Sequence, residues 1–271
     1  AQGRRSGSKK ERKRVLRTMK KLTLLVRKHA WRYRELLDTR WQETGQTRPE
    51  AERVLARMDQ VLRQLPAAIR QAHERIIGER KVANKDKILS LYEEDIHLVV
   101  RRKAGAQIEY GNSLFVVEQA DGMVVDYELL RETSRGDSKW LANRLPRLQS
   151  LQSMEAPLGG LVTDRGFDSK ALRDQLEEEG IYNGLCPLDP QELTRRMEED
   201  DCFGPAQKRR AGTEARIAIL THNFLGAALK GKGFGHRQLA VAWSVLTHNA
   251  WLLARKRCHY HNEQEALARA A

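Results

Sequence analysis

Residues 161–169 read LVTDRGFDS, and the order of those letters decides the fold. A short apolar run, Gly159–Thr163 (GGLVT), stops at Asp164; Arg165 and Gly166 follow, and a helix-forming stretch from Ser169 to Glu179 is then closed by Gly180. A brief apolar run bounded by a polar residue and a turn is the pattern of a buried strand. A strand that hands over to a helix sets its last residue on the carboxyl edge of a sheet, where open α/β proteins hold their ligands. Asp164 is therefore expected to present a carboxylate at such an edge, whereas Asp168 or Ser169 suits the cap of the following helix better. Ile181–Cys186 supplies another short strand.

Upstream, Ile88–Val100 is rich in β-branched and apolar residues, and Ile108–Glu118 and Met123–Leu130 flank Ala120–Asp121–Gly122. An Asp-Gly pair between two apolar runs predicts a hairpin. Ser138–Leu148 reads as a helix, so the order from Lys87 to Cys186 is three strands, helix, strand, helix, strand. Downstream, residues 187–212 read as polar and irregular, and Thr213–Leu225 and Gly235–Arg257 as helices. In the last of these Leu239, Ala242, Trp243, Leu246, Ala250 and Leu253 form one apolar stripe, which predicts a core-facing helix with Trp243 and Trp251 inside. His222 and His248 are expected to be packed or hydrogen-bonded there, and the polar tail 258–271 to fray.

The N-terminal third has a different character. Residues 1–8 are small, polar and basic and are expected to be disordered. From Lys9, the spacing of Val15, Met19, Leu22, Val26, Ala30, Tyr33 and Leu37 predicts a helix buried along that stripe. GQTRPE (45–50) breaks it, with Thr47 as cap and Pro49 in the next first turn. Val54, Met58, Val61 and Leu65 continue a second helix, which Pro66 interrupts or kinks. Residues 1–87 hold 25 Lys and Arg against 10 Asp and Glu, while the remainder holds 24 against 26, so the net charge of +13 resides in this hairpin. A basic arm beside a near-neutral body suits a polyanion, above all nucleic acid, because phosphate contacts release counterions. Arg12, Arg14, Lys20 and Lys21 represent the expected DNA contacts.

Other classes are not expected. No apolar run is long enough for a transmembrane helix, and the N-terminus lacks the apolar segment of a signal peptide. Cys186, Cys202 and Cys258 are odd in number and widely spaced, which supports neither a zinc module nor a disulfide framework.

A second carboxylate stands out in RRAGTEARIAILTHNF (Arg209–Phe224). Glu214 follows Arg210 by four residues, one helical turn, with Ile217 and Leu220 placed to pack the same helix on a sheet. Taken alone, Glu214 also suits a helix-N-terminal acid paired with Arg210.

Together these segments resemble the catalytic part of the DDE transposases of bacterial insertion sequences. The resemblance runs from about Lys87 to Arg257 and keeps its elements in order: KAGAQIEYGNSLFVV (Lys103–Val117), DGMVVDYELL (Asp121–Leu130), GDS (Gly136–Ser138), TDRGFDS, RRAGTEARI and LTHNAWLLARK (Leu246–Lys256). It implies an α/β fold: a ribonuclease-H-like mixed sheet flanked by helices (88–257), preceded by the N-terminal basic helical hairpin (1–87). It implies that Asp164 and Glu214 are catalytic and bind Mg²⁺, with Mn²⁺ as a substitute, and that Arg210 orients Glu214 or touches a phosphate. It further implies terminal inverted repeats and target DNA as partners, a homo-oligomer on DNA, and a cytoplasmic, nucleoid-associated protein of a bacterium. Two departures stand out: Gln207 and Thr221 occupy positions where the family often has a Tyr and a Lys. The family's first catalytic Asp has no DTT- or DGT-like motif here. It is expected on a strand upstream of Ala1, with Asp95 in LYEEDIHLVV as the alternative and Asp137 as a third option better suited to a helix cap. A chain lacking that Asp would bind DNA without cutting it, as a relic or a repressor of transposition.

Overall fold

The computed structural model describes residues 8–103, 106–132, 136–151, 157–226, 229 and 231–270. The expectation for residues 1–7 lies outside them. The protein is a mixed α/β chain, dominated by helices, that divides into two compact units, Ala1–Gly111 and Asn112–Ala271. Composition changes near Lys87, but the first unit continues through the first pair of strands.

In the first unit, α1 (Lys9–Arg40) and α2 (Arg48–Ile76) form a helical hairpin joined by a short 3₁₀ turn, Trp41–Thr44. Gly45 closes that turn at φ 71°, a left-handed conformation that glycine adopts without strain. Thr47 and Glu50 then form a capping box, and Pro49 sits in the first turn as expected. α2 runs unbroken through Pro66, so the expected interruption is absent.

The face that α1 turns inward differs from the expected stripe. Leu16 is buried and Ala30 and Leu37 half-buried, whereas Met19, Leu22, Val26 and Tyr33 are each more than half exposed. Polar pairs fix this register. Arg34 grips Asp59 through two nitrogens at 2.8 and 3.1 Å, and Lys20 Nζ lies 2.8 Å from His73 Nδ1. Residues 16, 20, 23, 30, 34 and 37 share one seam by heptad spacing, so satisfying those pairs rotates the apolar stripe outward. The hairpin is followed by an antiparallel pair, β1 (His97–Lys103) and β2 (Ala106–Gly111).

The second unit contains two further strand pairs. β3 (Leu114–Glu118) and β4 (Val124–Leu129) make the expected hairpin. The single strand expected over Ile108–Glu118 is broken between Gly111 and Leu114. At the hairpin turn, Gly122 has φ +89°, a conformation that favours glycine; a Cβ there would meet the Arg216 guanidinium at 2.9 Å, the far end of a flexible side chain. β5 (Gly160–Thr163) and β6 (Tyr182–Leu185) pair in parallel around α4 (Lys170–Glu178). Among the described residues the strands form three two-stranded ladders, not one continuous sheet.

Two apolar clusters hold these pieces. Leu141, Leu145 and Leu148 of α3 (Asp137–Ser150) pack with Leu172 and Leu176 of α4 against Leu161 and Leu185 of β5 and β6. Val124 of β4 packs with Leu220, Val241 and Val245. Residues 187–212 are not irregular. They form α5 (Pro190–Glu199) and the start of α6 (Phe203–Ile219), and Asp189 caps α5 by accepting from the Gln191 N–H at 2.9 Å. The Asp189–Pro190 pair is a helix-start signal. α6 ends in a π-turn, Leu220–Leu225, and α7 (Phe234–Ala270) continues well past Cys258, so the expected frayed tail is helical. No helix among the described residues is long and apolar enough to cross a membrane.

Candidate functional site

Asp164 stands at the carboxyl end of β5, exposed, with β6 parallel beside it. Its Oδ1 accepts from the Gly166 N–H at 2.9 Å, which closes a 3₁₀ turn over Arg165–Phe167. The helix that follows has a cap of its own, since Ser169 Oγ accepts from the Leu172 N–H at 3.3 Å. Asp168 is buried; it accepts from the Leu188 N–H at 3.1 Å and pairs with Arg173 at 3.0 Å, fastening the segment after β6. The cap reading thus falls to Ser169, and one oxygen of Asp164 steadies its own turn while the side chain stays open to solvent.

Gly166 lies between two carboxylates. A Cβ built there would be 3.1 Å from Asp137 Oδ2 and 3.2 Å from Asp164 Oδ1, so the two oxygens are no further apart than the sum of those distances. Asp137 opens α3, in the first turn of that helix. Its sequence position suits a cap, and its fold position brings it to Asp164.

Glu214 lies on α6, which is tied to the ends of both parallel strands through one residue. Gln207 Nε2 donates to the Gly184 carbonyl at 2.7 Å and to the Thr163 carbonyl at 3.4 Å. Arg210 Nε donates to Gln207 Oε1 at 3.2 Å, and Arg210 Nη1 lies 3.8 Å from Glu214 Oε1. Gln207, Arg210 and Glu214 are spaced i, i+3, i+7, so they share one helix face, with Glu214 about 10 Å along the axis from Gln207. The Glu214 side chain is 71% exposed, and so screened that its pairing with Arg210 contributes little. The opposite face of α6 is anchored elsewhere: Thr213 Oγ1 donates to Glu118 Oε1 at 2.7 Å, and Arg216 pairs with the same carboxylate. Gln207 thus links α6 to the ends of both strands by side-chain hydrogen bonds.

Asp95 belongs to the first unit, half-buried in the turn before β1 and engaged with a partner there. Asp164 and Asp137 offer hard oxygen donors of the kind Mg²⁺ prefers. Among the described residues no three His, Cys, Asp or Glu side chains cluster closely enough to hold a metal ion.

The expected DNA contacts divide. Arg12, Arg14 and Lys21 are exposed, while Lys20 is half-buried against His73. The structure adds what the sequence reading left out. Lys10, Arg14, Arg17, Lys21, Lys28 and Arg32 all fall within about a 60° arc of α1 at 100° per residue, and all six are exposed. None has an ion-pair partner among the described residues, while Glu79 pairs with Lys9 and Lys13, and Asp38 and Asp59 pair with Arg34. Those pairs hold the Glu79 and Asp59 carboxyls below their usual range, through hydrogen bonds from Lys9 and Arg34 respectively. A helical-wheel count of Lys and Arg alone would have found the stripe.

Two aromatic expectations change. Trp243 is 61% exposed and Trp251 41%, so neither is a core residue. His248 is buried as expected, 3.2 Å from Asn249 Oδ1 and edge-on to Phe224, while His222 is exposed. A separate open groove of about 540 Å³ lies between α1 and α2, floored by Val26, Val54, Met58 and Val61, and contains none of these candidate residues.

No protein-family model, no curated protein and no solved structure matches the chain.

Proposed function

We propose that this chain is the greater part of a DDE-type transposase of a bacterial insertion sequence, acting on DNA in the cytoplasm, with a ribonuclease-H-like catalytic unit and a basic DNA-binding hairpin. One observation carries the reading: Asp164 ends a parallel strand, and Gln207 ties that strand end to the helix presenting Arg210 and Glu214. The βαβ unit β5–α4–β6, the antiparallel hairpin and the flanking helices are compatible with the proposed fold, although the fold alone would not fix the function.

The chemistry follows from the residues. Cleaving a phosphodiester and joining the freed 3′-hydroxyl to a target are both in-line phosphoryl transfers, with charge building on the non-bridging oxygens. Asp164 and Glu214 would hold Mg²⁺, with Asp137 as the third carboxylate in the same unit; a bound ion would neutralise phosphate charge and activate the attacking oxygen. Arg210 sits one turn before Glu214, placed to orient it or to meet a phosphate. The six-cation stripe of α1 spans about 33 Å, close to one turn of duplex DNA, and would track its backbone.

The test is Mg²⁺-dependent cleavage of a duplex ending in the element's inverted repeat. Loss of cleavage in Asp164→Ala and in Glu214→Gln, with DNA binding kept, supports the reading; equal cleavage by both variants sinks it. A second reading, binding without cutting, is favoured by the absence of a three-ligand cluster among the described residues. It predicts no cleavage by this chain, together with binding that weakens about a thousandfold between 50 and 200 mM salt if all six cations meet phosphates.

A further inference from the structure

α7 has two apolar faces, and the fold uses one. Phe234, Val241, Val245 and His248 turn inward and are buried. On the other side Leu239, Trp243, Leu246, Leu253 and Tyr260 are each more than half exposed. With Ala250 and Arg257 they follow one another at steps of four, three, four, three, four and three residues across 239–260. This is the a/d repeat of a coiled-coil seam, which a lone helix leaves open. The five large side chains expose roughly 600 Å² of mainly apolar surface, at the upper end of the largest patch on an ordinary monomer and near the ~800 Å² that one partner gives to a stable interface.

We propose that this seam pairs with the same seam of a second copy, antiparallel, about a two-fold axis at Ala250. Self-complementarity identifies the occupant. Read outward from Ala250, Leu246 stands opposite Leu253, Trp243 opposite Arg257, and Leu239 opposite Tyr260, each pair occurring twice, as an isologous contact requires. The small residue falls at the axis, where the backbones come closest. The flanking residues Ala240, Ala242, Thr247, Asn249 and Ala254 are uncharged, and the one flanking cation, Lys256, already pairs with Asp121 of its own chain. Orientation follows from charge. A parallel pair would set Arg257 against Arg257 and crowd both basic ends, Arg255–Arg257, together. The antiparallel pair separates those ends and lays each Arg257 beside the exposed indole of the other copy's Trp243, a favourable cation–π placement. α7 already uses that contact within one chain, with the Arg255 guanidinium 4.7 Å from the Trp251 ring centroid. None of this depends on the catalytic reading.

The experiment is sedimentation equilibrium of the full chain without DNA, alongside the double variant W243E/L246E. A dimer whose association weakens about thirtyfold or more in the variant, at unchanged helical circular dichroism, is expected. A chain that stays monomeric at ~100 μM, far above the working range of specific interfaces, or a dimer indifferent to the variant, overturns the proposal. Orientation is read by oxidation in a background with the exposed Cys202 and Cys258 changed to Ser. Ala250→Cys is expected to cross-link two copies and Leu239→Cys is not, because the antiparallel pair holds those positions about 33 Å apart. Cross-linking through Leu239→Cys would mean a parallel pair and overturn the orientation.

Discussion

The side-chain amide of Asn249 in α7 pairs both ways with the backbone of Val124 in β4. Val124 N–H donates to Asn249 Oδ1 at 3.0 Å, and Asn249 Nδ2 donates to the Val124 carbonyl at 2.8 Å. The helix thus supplies Val124 with the two bonds that a neighbouring strand would otherwise make. Asn249→Leu removes both and leaves two buried backbone groups unsatisfied, at about 1–3 kcal/mol each. Urea denaturation is expected to show a lower midpoint with little change in slope. An unchanged midpoint would mean that water serves Val124 equally well.

Gln207 is expected to matter more to the relation between α6 and the strand ends than to overall stability. Gln207→Ala frees the Gly184 carbonyl and removes the acceptor of Arg210 Nε. A stability loss of about 1–2 kcal/mol is expected, with faster amide exchange in α6 than in α4. Uniform acceleration of both helices would show that the bond is only one among many.

Gly166→Ala places a methyl 3.1 Å from Asp137 Oδ2 and 3.2 Å from Asp164 Oδ1. Both oxygens must give way, and displacements of that size at a reacting centre cost rate steeply, up to ~100-fold per ångström. If the proposed activity holds, cleavage is expected to fall about two- to fourfold, as a shift of a few tenths of an ångström implies, while thermal stability stays within a few degrees. Wild-type cleavage in this variant would detach Asp137 from the chemistry.

Tyr182 is expected to ionise late. Burial first, and then its hydrogen bond to Asp200 Oδ2 at 2.7 Å, push its phenol up to about 12 from an ordinary 10.0. Because the folded value is the higher, this phenol's contribution to stability is complete below about pH 10 and is lost as pH rises toward 12. The same bond holds the Asp200 carboxyl below its usual range, so that contribution is present at neutral pH and fades in acid. Ultraviolet titration of tyrosinate should show one late component that Tyr182→Phe removes; its persistence would assign the late phenol to another tyrosine.

What the sequence made legible follows from how local each signal is. The strand ending at Asp164, the Asp121–Gly122 turn and the Thr47 cap are each written within a few residues, and all three are present. The inward face of α1 was not legible from apolar spacing, because Asp59 and His73, which set it, lie on another helix. The apolar seam of α7 read as core for a related reason: periodicity identifies a face but not what covers it. At the candidate site, Asp164, Arg210 and Glu214 were recognisable by type and spacing. The approach of Asp137 to Gly166, and the hold of Gln207 on Gly184, exist only once separate elements meet.

The clasp between Asn249 and Val124 joins residues 125 positions apart, and Lys256 reaches back to Asp121 across 135. The α1–α2 hairpin, by contrast, is secured by contacts such as Arg34 to Asp59, only 25 positions apart. During synthesis the hairpin can therefore close soon after it leaves the ribosome, while the β3–β4 ribbon waits with an open edge until α7 has been made. Such a wait exposes unpaired strand backbone to neighbouring chains. The basic hairpin, already folded and carrying like charge on every nascent copy, would keep those chains apart in the interval.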